Sequence, residues 1–481
     1  MSIVSEQSAW WERYKLAGSG ASEIVFGVET AVTAGLLAPG ESLPPVRELA
    51  GHLHVNPNTV ASAYRTLRDR GTVETRGRAG TRVRERPGTS NRMRSYELPE
   101  GVRDLTSGEP APRLLPRLKP PASIDVSGYR YAPVEPDLEE QLRRRVGRLF
   151  EGAGTDDTGG AAAGVGADAA ESAESAELLG TSRMLAVFGS LDGIERLLAT
   201  HTRPGDKIAV EDPAWGNMLD LAAARGLTVV PMRMDDEGPD PTDLRAALGA
   251  GVNAVVVTTR AQNPYGAVVS ARRASALRTV LATHPEVLTI DDDHGADLTS
   301  GVPHLLCGAT RQWAYLYSAS KAYGPDMRIA ALIGDADTTD RVAGQLRHSS
   351  RRVPGVMQLL WAQALADRGN DAVLAEAASV YAENRKTLIS ELAARGVAAH
   401  GESGLSVWIP VPDETAAATG LLARGWAVAP GSWYRVRSGP GIRVTVATMH
   451  LEEMAALAEA VASTLNRGKG VRPDARAAES V

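Results

Sequence analysis

Residues 317–334 read YSASKAYGPDMRIAALIG, and this stretch decides how the rest of the chain is interpreted. Lys321 stands among small residues directly after an apolar run that predicts a strand. Burying an unpaired ammonium is expensive, so a lysine at the end of a buried strand must reach water or have a partner. The small neighbours leave room for a partner, and Arg328 follows a short distance along the chain.

The surrounding sequence predicts an α/β domain. From residue 184 onward, helical patterns separate seven short apolar runs: MLAVF, KIAVE, LTVVPM, AVVVTT, VLTIDD, AYLYSAS and IAALIG. This alternation predicts a seven-stranded, mostly parallel sheet, whose ligands bind at the carboxyl ends of the strands. After residue 350, long helical patterns precede LSVWIPV and GIRVTVATM, which predict a smaller α+β subdomain.

Residues suited to binding a ligand stand at the ends of several predicted strands. They are Gly189, Ser190 and Leu191 after MLAVF, Trp215 after KIAVE, Asn263 after AVVVTT, Asp292 and His294 after VLTI, and Ser318, Ser320 and Lys321 at the end of AYLYSAS. The free N–H groups of a helix that opens at Gly189 could hold a phosphate. Trp215 alone is equally well explained as a packed loop aromatic.

The run DDDH, residues 291–294, could also indicate a metal site, because Asp and His both bind divalent cations. Adjacent strand residues point to opposite sides, however, so Asp291, Asp292 and Asp293 cannot all face one ion. A metal is therefore the weaker interpretation, and we predict none.

The combination of groups favours pyridoxal phosphate. The amine of Lys321 can form a Schiff base with its aldehyde, and Asp292 can keep the pyridine nitrogen protonated. Asn263 could donate to the phenolic oxygen. Ser318, Ser320 and Arg328 would hold the phosphate.

This ordered set resembles the fold-type I aminotransferase family over roughly residues 104–465. The resemblance implies that Trp215 stacks on the pyridine ring and that Arg443, in GIRVTVATM, holds the α-carboxylate of a substrate or effector. It also implies a tyrosine that reaches the partner subunit's phosphate, either Tyr129 or Tyr131 in GYRYAP. Many relatives have a tyrosine that donates to the cofactor's phenolic oxygen where this chain has His294. An imidazole can donate the same hydrogen bond, but its charge can change near neutral pH. His294 as a structural residue at the strand end is the alternative.

The N-terminal region predicts a winged helix-turn-helix. Two short amphipathic stripes flank the turn HVNPN, where Asn56 is a candidate N-cap, and TVETRGRAGTRVRER alternates as a β-hairpin would. Nine arginines and four carboxylates between Arg47 and Arg86 give a local charge of +5 in a chain of net charge -6. Phosphate contacts explain this better than solubility alone.

The region resembles a GntR-type winged helix. A chain in which such a domain precedes an aminotransferase-like domain resembles the MocR subfamily of bacterial transcription regulators. The resemblance implies a head-to-tail homodimer in which pyridoxal phosphate, with or without an amine or amino acid, sets the affinity for double-stranded DNA. The DNA-binding residues that we predict are Arg47, Asn58, Thr59, Arg65, Gly80 and Thr81.

The predicted organisation is a winged helix at residues 1–84, a linker at 85–110, an effector domain at 111–465 and a flexible tail at 466–481. Residues 151–180 form a low-complexity insertion that can bury little apolar surface. Among the 481 residues Cys307 is the one cysteine, which excludes a disulfide framework. With no apolar run long enough to span a bilayer, we expect a cytoplasmic protein without a membrane partner.

Three functions are compatible with the sequence. The first is a DNA-binding regulator that senses pyridoxal phosphate or its adduct with an amine, with vestigial or limited catalysis. The second is an active aminotransferase with an accessory DNA-binding domain. A degenerate site in a ligand-independent repressor is a third.

Overall fold

The structure is a computed structural model that describes eight stretches of the chain. They are residues 20–33, 36–69, 72–75, 80–84, 98–120, 133–149, 165–299 and 301–468. The tyrosine that we predicted to reach a partner subunit, Tyr129 or Tyr131, lies outside these residues.

The N-terminal region folds as the predicted winged helix. Its elements are the helices α1 (Ala21–Thr33), α2 (Val46–Leu53) and α3 (Pro57–Asp69) and the antiparallel strands β1 (Val73–Thr75) and β2 (Thr81–Val83). The apolar stripes of the helices meet in one core, to which Ile24, Val60 and Leu67 contribute. Asn56 caps α3, because its Oδ1 accepts a hydrogen bond of 2.8 Å from the N–H of Asn58.

The central sheet contains all seven predicted strands. Its strands are β4 (Arg183–Val187), β5 (Lys207–Asp212), β6 (Thr228–Asp235), β7 (Gly238–Pro239), β8 (Val252–Thr258), β9 (Leu288–Asp293), β10 (Gln312–Ser318) and β11 (Ala330–Gly334). Among the described residues it has eight strands, in the order β4-β11-β10-β9-β8-β5-β6-β7. The predicted number of seven strands was wrong by one. The additional strand is β7, an edge strand of two residues that is too short to form an apolar run. β11 and β7 run antiparallel to their neighbours and the other pairs are parallel.

Helices cover both faces of this sheet. They are α4 (Pro136–Leu149), α5 (Val165–Thr181), α6 (Ser190–His201), α7 (Gly216–Ala224), α8 (Pro241–Gly249), α9 (Ala271–Leu281), α10 (Ala336–Arg347), α11 (Gly355–Ala366) and α12 (Arg368–Ala393). Successive residues of a strand face opposite cores: Leu185 packs with α6, α7 and α10, whereas Met184 packs with α4, α11 and α12. The predicted insertion, residues 151–180, is helical from Val165 onward, where it forms most of α5.

The smaller C-terminal subdomain is α+β, as predicted. Its elements are β12 (Ser406–Pro410), α13 (Glu414–Leu422), β13 (Trp426–Ala427), β14 (Ala429–Pro430), β15 (Gly441–Thr445) and α14 (Leu451–Gly468). α14 extends into the segment predicted as a tail. None of the helices in the described stretches is long and apolar enough to cross a membrane.

The segment predicted as a linker, residues 85–110, is folded in its second half. A short strand β3 (Arg103–Asp104) pairs with β13, and Leu105 is fully buried in the core of the C-terminal subdomain. The N–H of Thr445 in β15 also donates to the carbonyl of Leu105. Residues 103–105 therefore belong to the C-terminal subdomain, and the residues that follow them lead to the candidate site.

Candidate functional site

Most of the predicted cofactor-binding residues line one cavity of about 180 Å³ at the carboxyl ends of the central strands. Its lining is Gly108, Glu109, Ser190, Leu191, Trp215, Asn217, Asn263, His294, Ser318, Ser320, Lys321, Pro325 and Arg328. Three other predicted residues adjoin it: Asp292 contacts His294, Gly189 lies against Arg328, and Arg443 contacts Asn263. The sheet topology thus brings together residues that are far apart in the sequence.

Lys321 has a partner, as its position required. Its Nζ donates to the carbonyl oxygen of Gly108 at 2.7 Å and forms an ion pair of 3.0 Å with Oε2 of Glu109. Burial lowers the pKa of the Lys321 ammonium, and the positive charges of Arg443 and Arg328 lower it further, against the opposing effect of Glu109. A lowered pKa favours the neutral amine, which is the form that attacks an aldehyde.

Asp292 is 3 % exposed and joins His294 at the end of β9. Oδ2 of Asp292 lies 3.0 Å from Nδ1 of His294. Burial lowers the pKa of the His294 imidazole, but the charge and hydrogen bond of Asp292 outweigh it, so this pKa lies above its usual value. The contact with Asp292 occupies Nδ1 of His294, so Nε2 is the ring nitrogen that can hydrogen-bond to a ligand.

The neighbouring aspartates face elsewhere, as strand alternation predicted. The carboxylate of Asp291 accepts hydrogen bonds from the N–H groups of Leu306 and Cys307, and burial raises its pKa to about 6. Asp293 forms a buried ion pair of 2.6 Å with Arg260. The described residues contain no group of three or more His, Cys, Asp or Glu side chains that could hold a metal ion.

The helix N-terminus at α6 adjoins the arginine predicted to bind phosphate. Gly189 has φ of 93°, and a β-carbon at this position would lie 3.3 Å from Nη2 of Arg328, so only glycine allows this approach without strain. No side chain caps the first turn of α6, which begins at Ser190. Its N–H groups, the hydroxyl of Ser190 and the exposed guanidinium of Arg328 thus form a cradle suited to an anion.

Arg443 lies fully buried beside Asn263. Its Nη1 donates to Oδ1 of Asn263 at 3.0 Å, and its Nη2 donates to the carbonyl oxygen of Thr106. The guanidinium carbon also lies 5.0 Å from the ring centroid of Tyr434. Oδ1 of Asn263 is thereby occupied, and its Nδ2 is left as the donor that the predicted contact with a phenolic oxygen requires.

The buried carboxylate of Glu211 supports the loop that carries Asn263. Glu211 accepts from the N–H of Thr258 at 2.8 Å and from Nε2 of Gln262 at 3.0 Å, which joins the ends of β5 and β8 to this loop. Burial raises the pKa of Glu211 to about 7. Its role is structural, since its oxygens face backbone and amide donors.

Unpartnered buried atoms test whether pyridoxal phosphate fits this site. Among the described residues, Oδ1 of Asp292, Oγ of Ser190 and Nε of Arg443 are buried without a hydrogen-bond partner. A protonated pyridine nitrogen would satisfy Oδ1 of Asp292, and a phosphate would satisfy the hydroxyl of Ser190. The residues present therefore fit the cofactor.

A larger cavity, of about 830 Å³, lies elsewhere, beside the edge strand β4. It is lined by parts of α4 and α10 and contains several arginines, of which Arg143 and Arg183 are already paired with Glu139 and Asp340. None of the predicted site residues lines it. We therefore take the smaller cavity at Lys321 as the candidate site, because it contains the predicted cofactor-binding residues and the larger cavity does not.

The predicted DNA-binding residues lie on α2, on α3 and in the wing. Arg47 and Arg65 are exposed, as is Asn58 in the first turn of α3, while Thr59 is half-buried. Gly80 has φ of 79° at the entry to β2, where Thr81 pairs with Thr75. An exposed start of the second helix of a helix-turn-helix is the part that contacts bases in the major groove.

The fold and the site together define a winged-helix protein joined to an aminotransferase-type domain. Residues 21–83 match the family of bacterial regulatory proteins of the gntR type, and residues 164–461 match the class I and II aminotransferases. The chain therefore belongs to the GntR-type regulators that carry an aminotransferase-like domain, the MocR subfamily. Pyridoxal phosphate is the cofactor of the aminotransferase class.

Two regulators match most of this chain in sequence, and a solved aminotransferase matches about three quarters of it in fold. The vitamin B6 salvage pathway transcriptional repressor PtsJ of Salmonella typhimurium is 34% identical over 94% of this chain and 99% of its own length. The HTH-type transcriptional regulator TauR of Rhodobacter capsulatus is 26% identical over 87% of this chain and 91% of its own. A kynurenine aminotransferase of Pyrococcus horikoshii, solved in complex with PMP, shares the fold over 77% of this chain and 92% of its own, with a TM-score of 0.63 and 17% identity.

Sequence reasoning missed Glu109 and the segment around it. Glu109 pairs with Lys321, Thr106 binds Arg443, and the carbonyl of Ser107 accepts from the hydroxyl of Thr445. These residues lie in a stretch rich in proline and glycine that precedes Lys321 by more than two hundred positions. No local pattern links them to the strand ends, so only the three-dimensional structure could identify them.

Proposed function

We propose that this protein is a transcription regulator whose affinity for DNA is set by pyridoxal phosphate, alone or with an amine or amino acid. The observation that carries the proposal is the single cavity in which Lys321, Asn263 and the phosphate cradle meet, within a chain that also contains a GntR-type winged helix. The relative PtsJ, a vitamin B6 salvage pathway transcriptional repressor, supports the same link between cofactor and transcription.

Each predicted side chain has a place in this proposal. When bound, the cofactor supplies an aldehyde for Lys321 and a ring that withdraws electrons. Asp292 would hold the proton on the pyridine nitrogen, and the predicted ring partners are Trp215 and Asn263. Ser318, Ser320 and Arg328 would neutralise the phosphate together with the start of α6, while Arg443 would hold the carboxylate of an amino acid effector.

The proposal extends to assembly and location. A homodimer in which Tyr129 or Tyr131 reaches the partner's phosphate, and action on DNA in the cytoplasm, both follow from the resemblance to the family. Sedimentation of the purified protein with and without DNA tests the first of these: a monomer in both conditions would refute the dimer.

DNA binding with and without the cofactor tests the function. DNA fragments selected from a random pool by the purified protein serve as the probe. We expect saturating pyridoxal phosphate to change the dissociation constant for the selected DNA by about 5- to 150-fold, the range typical of coupled sites. An unchanged constant would refute the regulator, and repeated turnover across a panel of amino acids without selective DNA binding would establish the aminotransferase instead.

The Arg47→Ala variant tests the DNA interface. Arg47 is exposed at the start of α2, and a phosphate contact made there would release a counterion on binding. We expect weaker binding to all sequences and a slope of log K against log salt that is smaller by about 1. Arg113→Ala, which removes an exposed arginine of the aminotransferase-like domain, is the control and should leave the slope unchanged. An unaltered slope for Arg47→Ala would contradict the assignment.

A further inference from the structure

The winged helix contacts the C-terminal subdomain through one face of α1. Ile24 and Val28 of this helix point into the core of the winged helix. Phe26 and Thr30 are four positions apart and therefore share a different face. Phe26 packs under the guanidinium of Arg435, whose carbon lies 3.9 Å from the ring centroid. The hydroxyl of Thr30 donates to the carbonyl of Phe26 at 2.8 Å and also lies 3.4 Å from the carbonyl of Val436.

Both partners of α1 lie in residues 434–438, which we call the junction segment. This segment is rigidly held. The carboxylate of Asp212 accepts hydrogen bonds from the N–H groups of Val436, Arg437 and Ser438 at 2.8, 2.6 and 2.7 Å. Arg435 is 7 % exposed and forms a bidentate ion pair with the fully buried Glu414, with both distances at 3.1 Å. A displacement at one end of such a segment is therefore transmitted and not absorbed.

The other side of the junction segment contacts the candidate site. The carbonyl of Tyr434 accepts a hydrogen bond of 2.7 Å from the N–H of Ala214, the residue before Trp215, which lines the cavity. The ring of Tyr434 lies under Arg443, which binds Asn263. A ligand that moves Trp215 or Arg443 must therefore shift the junction segment or break these contacts.

We infer that the junction segment couples the cofactor site to the winged helix, and that Phe26 and Thr30 are the residues of α1 that receive the signal. The inference rests on the proposed function, since it names the route of the proposed regulation. Binding at the cavity repositions α1 through residues 434–438. By reciprocity, DNA changes the affinity for pyridoxal phosphate by the same factor.

The test compares three full-length proteins: wild type, the double variant Phe26→Leu/Thr30→Val, and the control Arg437→Ala. Leucine and valine keep apolar bulk while removing the aromatic face and the hydroxyl. The control removes an exposed side chain from the same segment. The hydrogen bond from Arg437 to Asp212 comes from the backbone N–H, so the substitution retains it. The coupling factor is the ratio of the dissociation constants for selected DNA without and with pyridoxal phosphate.

We expect the double variant to reduce a coupling factor of about 5- to 150-fold to within about twofold of unity. Its affinity for DNA without cofactor, and for pyridoxal phosphate without DNA, should stay near the wild-type values, and Arg437→Ala should keep the full factor. Full coupling in the double variant overturns the inference and leaves the proposed function intact. Absence of any cofactor effect in wild type overturns both.

Amide hydrogen exchange of the wild type gives an answer even if the double variant does not bind DNA. Pyridoxal phosphate should change the exchange of residues 21–33 and 434–438, and it should leave residues 241–249 of α8, remote from this route, unchanged. If exchange at residues 21–33 is the same with and without cofactor, the inference is wrong.

Discussion

Lys321→Ala is expected to abolish the visible absorbance that pyridoxal phosphate gives when it is bound to the protein, and with it the response of DNA binding to the cofactor. The lysine supplies the only covalent attachment that we propose for the cofactor, so its loss leaves only the contacts to the ring and the phosphate. Absorption spectra of purified protein titrated with pyridoxal phosphate measure the effect. DNA affinity without cofactor should not change, because Lys321 lies in the aminotransferase-like domain.

Lys207→Ala is the matched control for this prediction. Lys207 is an exposed lysine at the start of β5, where its Nζ donates to the carbonyl of Ala250. Any exposed lysine can react slowly with an aldehyde, so the control separates such labelling from occupation of the site. Equal absorbance in Lys321→Ala and wild type would contradict the assignment of Lys321.

The contacts of Lys321 also indicate what the cofactor must displace. In the structure the lysine binds Glu109 and the carbonyl of Gly108, and the preceding Thr106 binds Arg443. Residues 106–109 thus engage both the amine that would hold the cofactor and the arginine that would hold a carboxylate. Cofactor binding at Lys321 would replace the ion pair with Glu109 by a covalent bond. The ion pair explains how a cation at the end of a buried strand is tolerated without a ligand.

The sequence predicted the parts of this site that follow from the periodicity of strands. Apolar runs located β4 to β11 with the exception of β7, and parallel strands have their carboxyl ends at one edge of the sheet, so Asn263, Asp292 and Lys321 could be expected to meet. The helix start at Ser190 followed from the same rule. These inferences needed only local pattern and the rules of sheet topology.

The rest depended on contacts between segments that no local pattern connects. Glu109, in a stretch that reads as a linker, faces Lys321 only because β3 pairs with β13 and brings the chain to the cavity. The contact of Phe26 with Arg435 likewise joins a helix of one domain to a loop of the other. Such pairings are decided by the packing of whole elements, so a single sequence carries no signal for them.

Strand alternation restricts the directions in which the three aspartates of β9 can point, and their partners in the structure follow this restriction. Alternation along the strand required Asp291 and Asp293 to face away from Asp292. Asp291 accepts hydrogen bonds from backbone N–H groups and Asp293 pairs with Arg260, while an oxygen of Asp292 remains buried without a partner among the described residues. Neighbouring residues of one type therefore have different tasks, two structural and one at the candidate site.

The isosteric variants Asp293→Asn and Asp292→Asn should separate these tasks. Asp293 and Arg260 are 0 % and 1 % exposed, and Tyr315 donates to the same carboxylate at 2.8 Å, so the amide would leave the guanidinium charge buried without compensation. We expect Asp293→Asn to lower the free energy of unfolding by about 3–5 kcal/mol. Urea denaturation of the protein without cofactor measures this difference.

Asp292→Asn should change that stability by about 1 kcal/mol or less, because one oxygen of Asp292 already lacks a partner in the described stretches and the other pairs with the partly exposed His294. It should instead weaken the binding of pyridoxal phosphate, since an amide cannot keep the pyridine nitrogen protonated. If Asp292→Asn were the destabilised variant and Asp293→Asn the one that lost the cofactor, the two roles would be reversed. A buried carboxylate that contributes little to folding and much to binding is the signature that distinguishes a cofactor ligand from a structural ion pair.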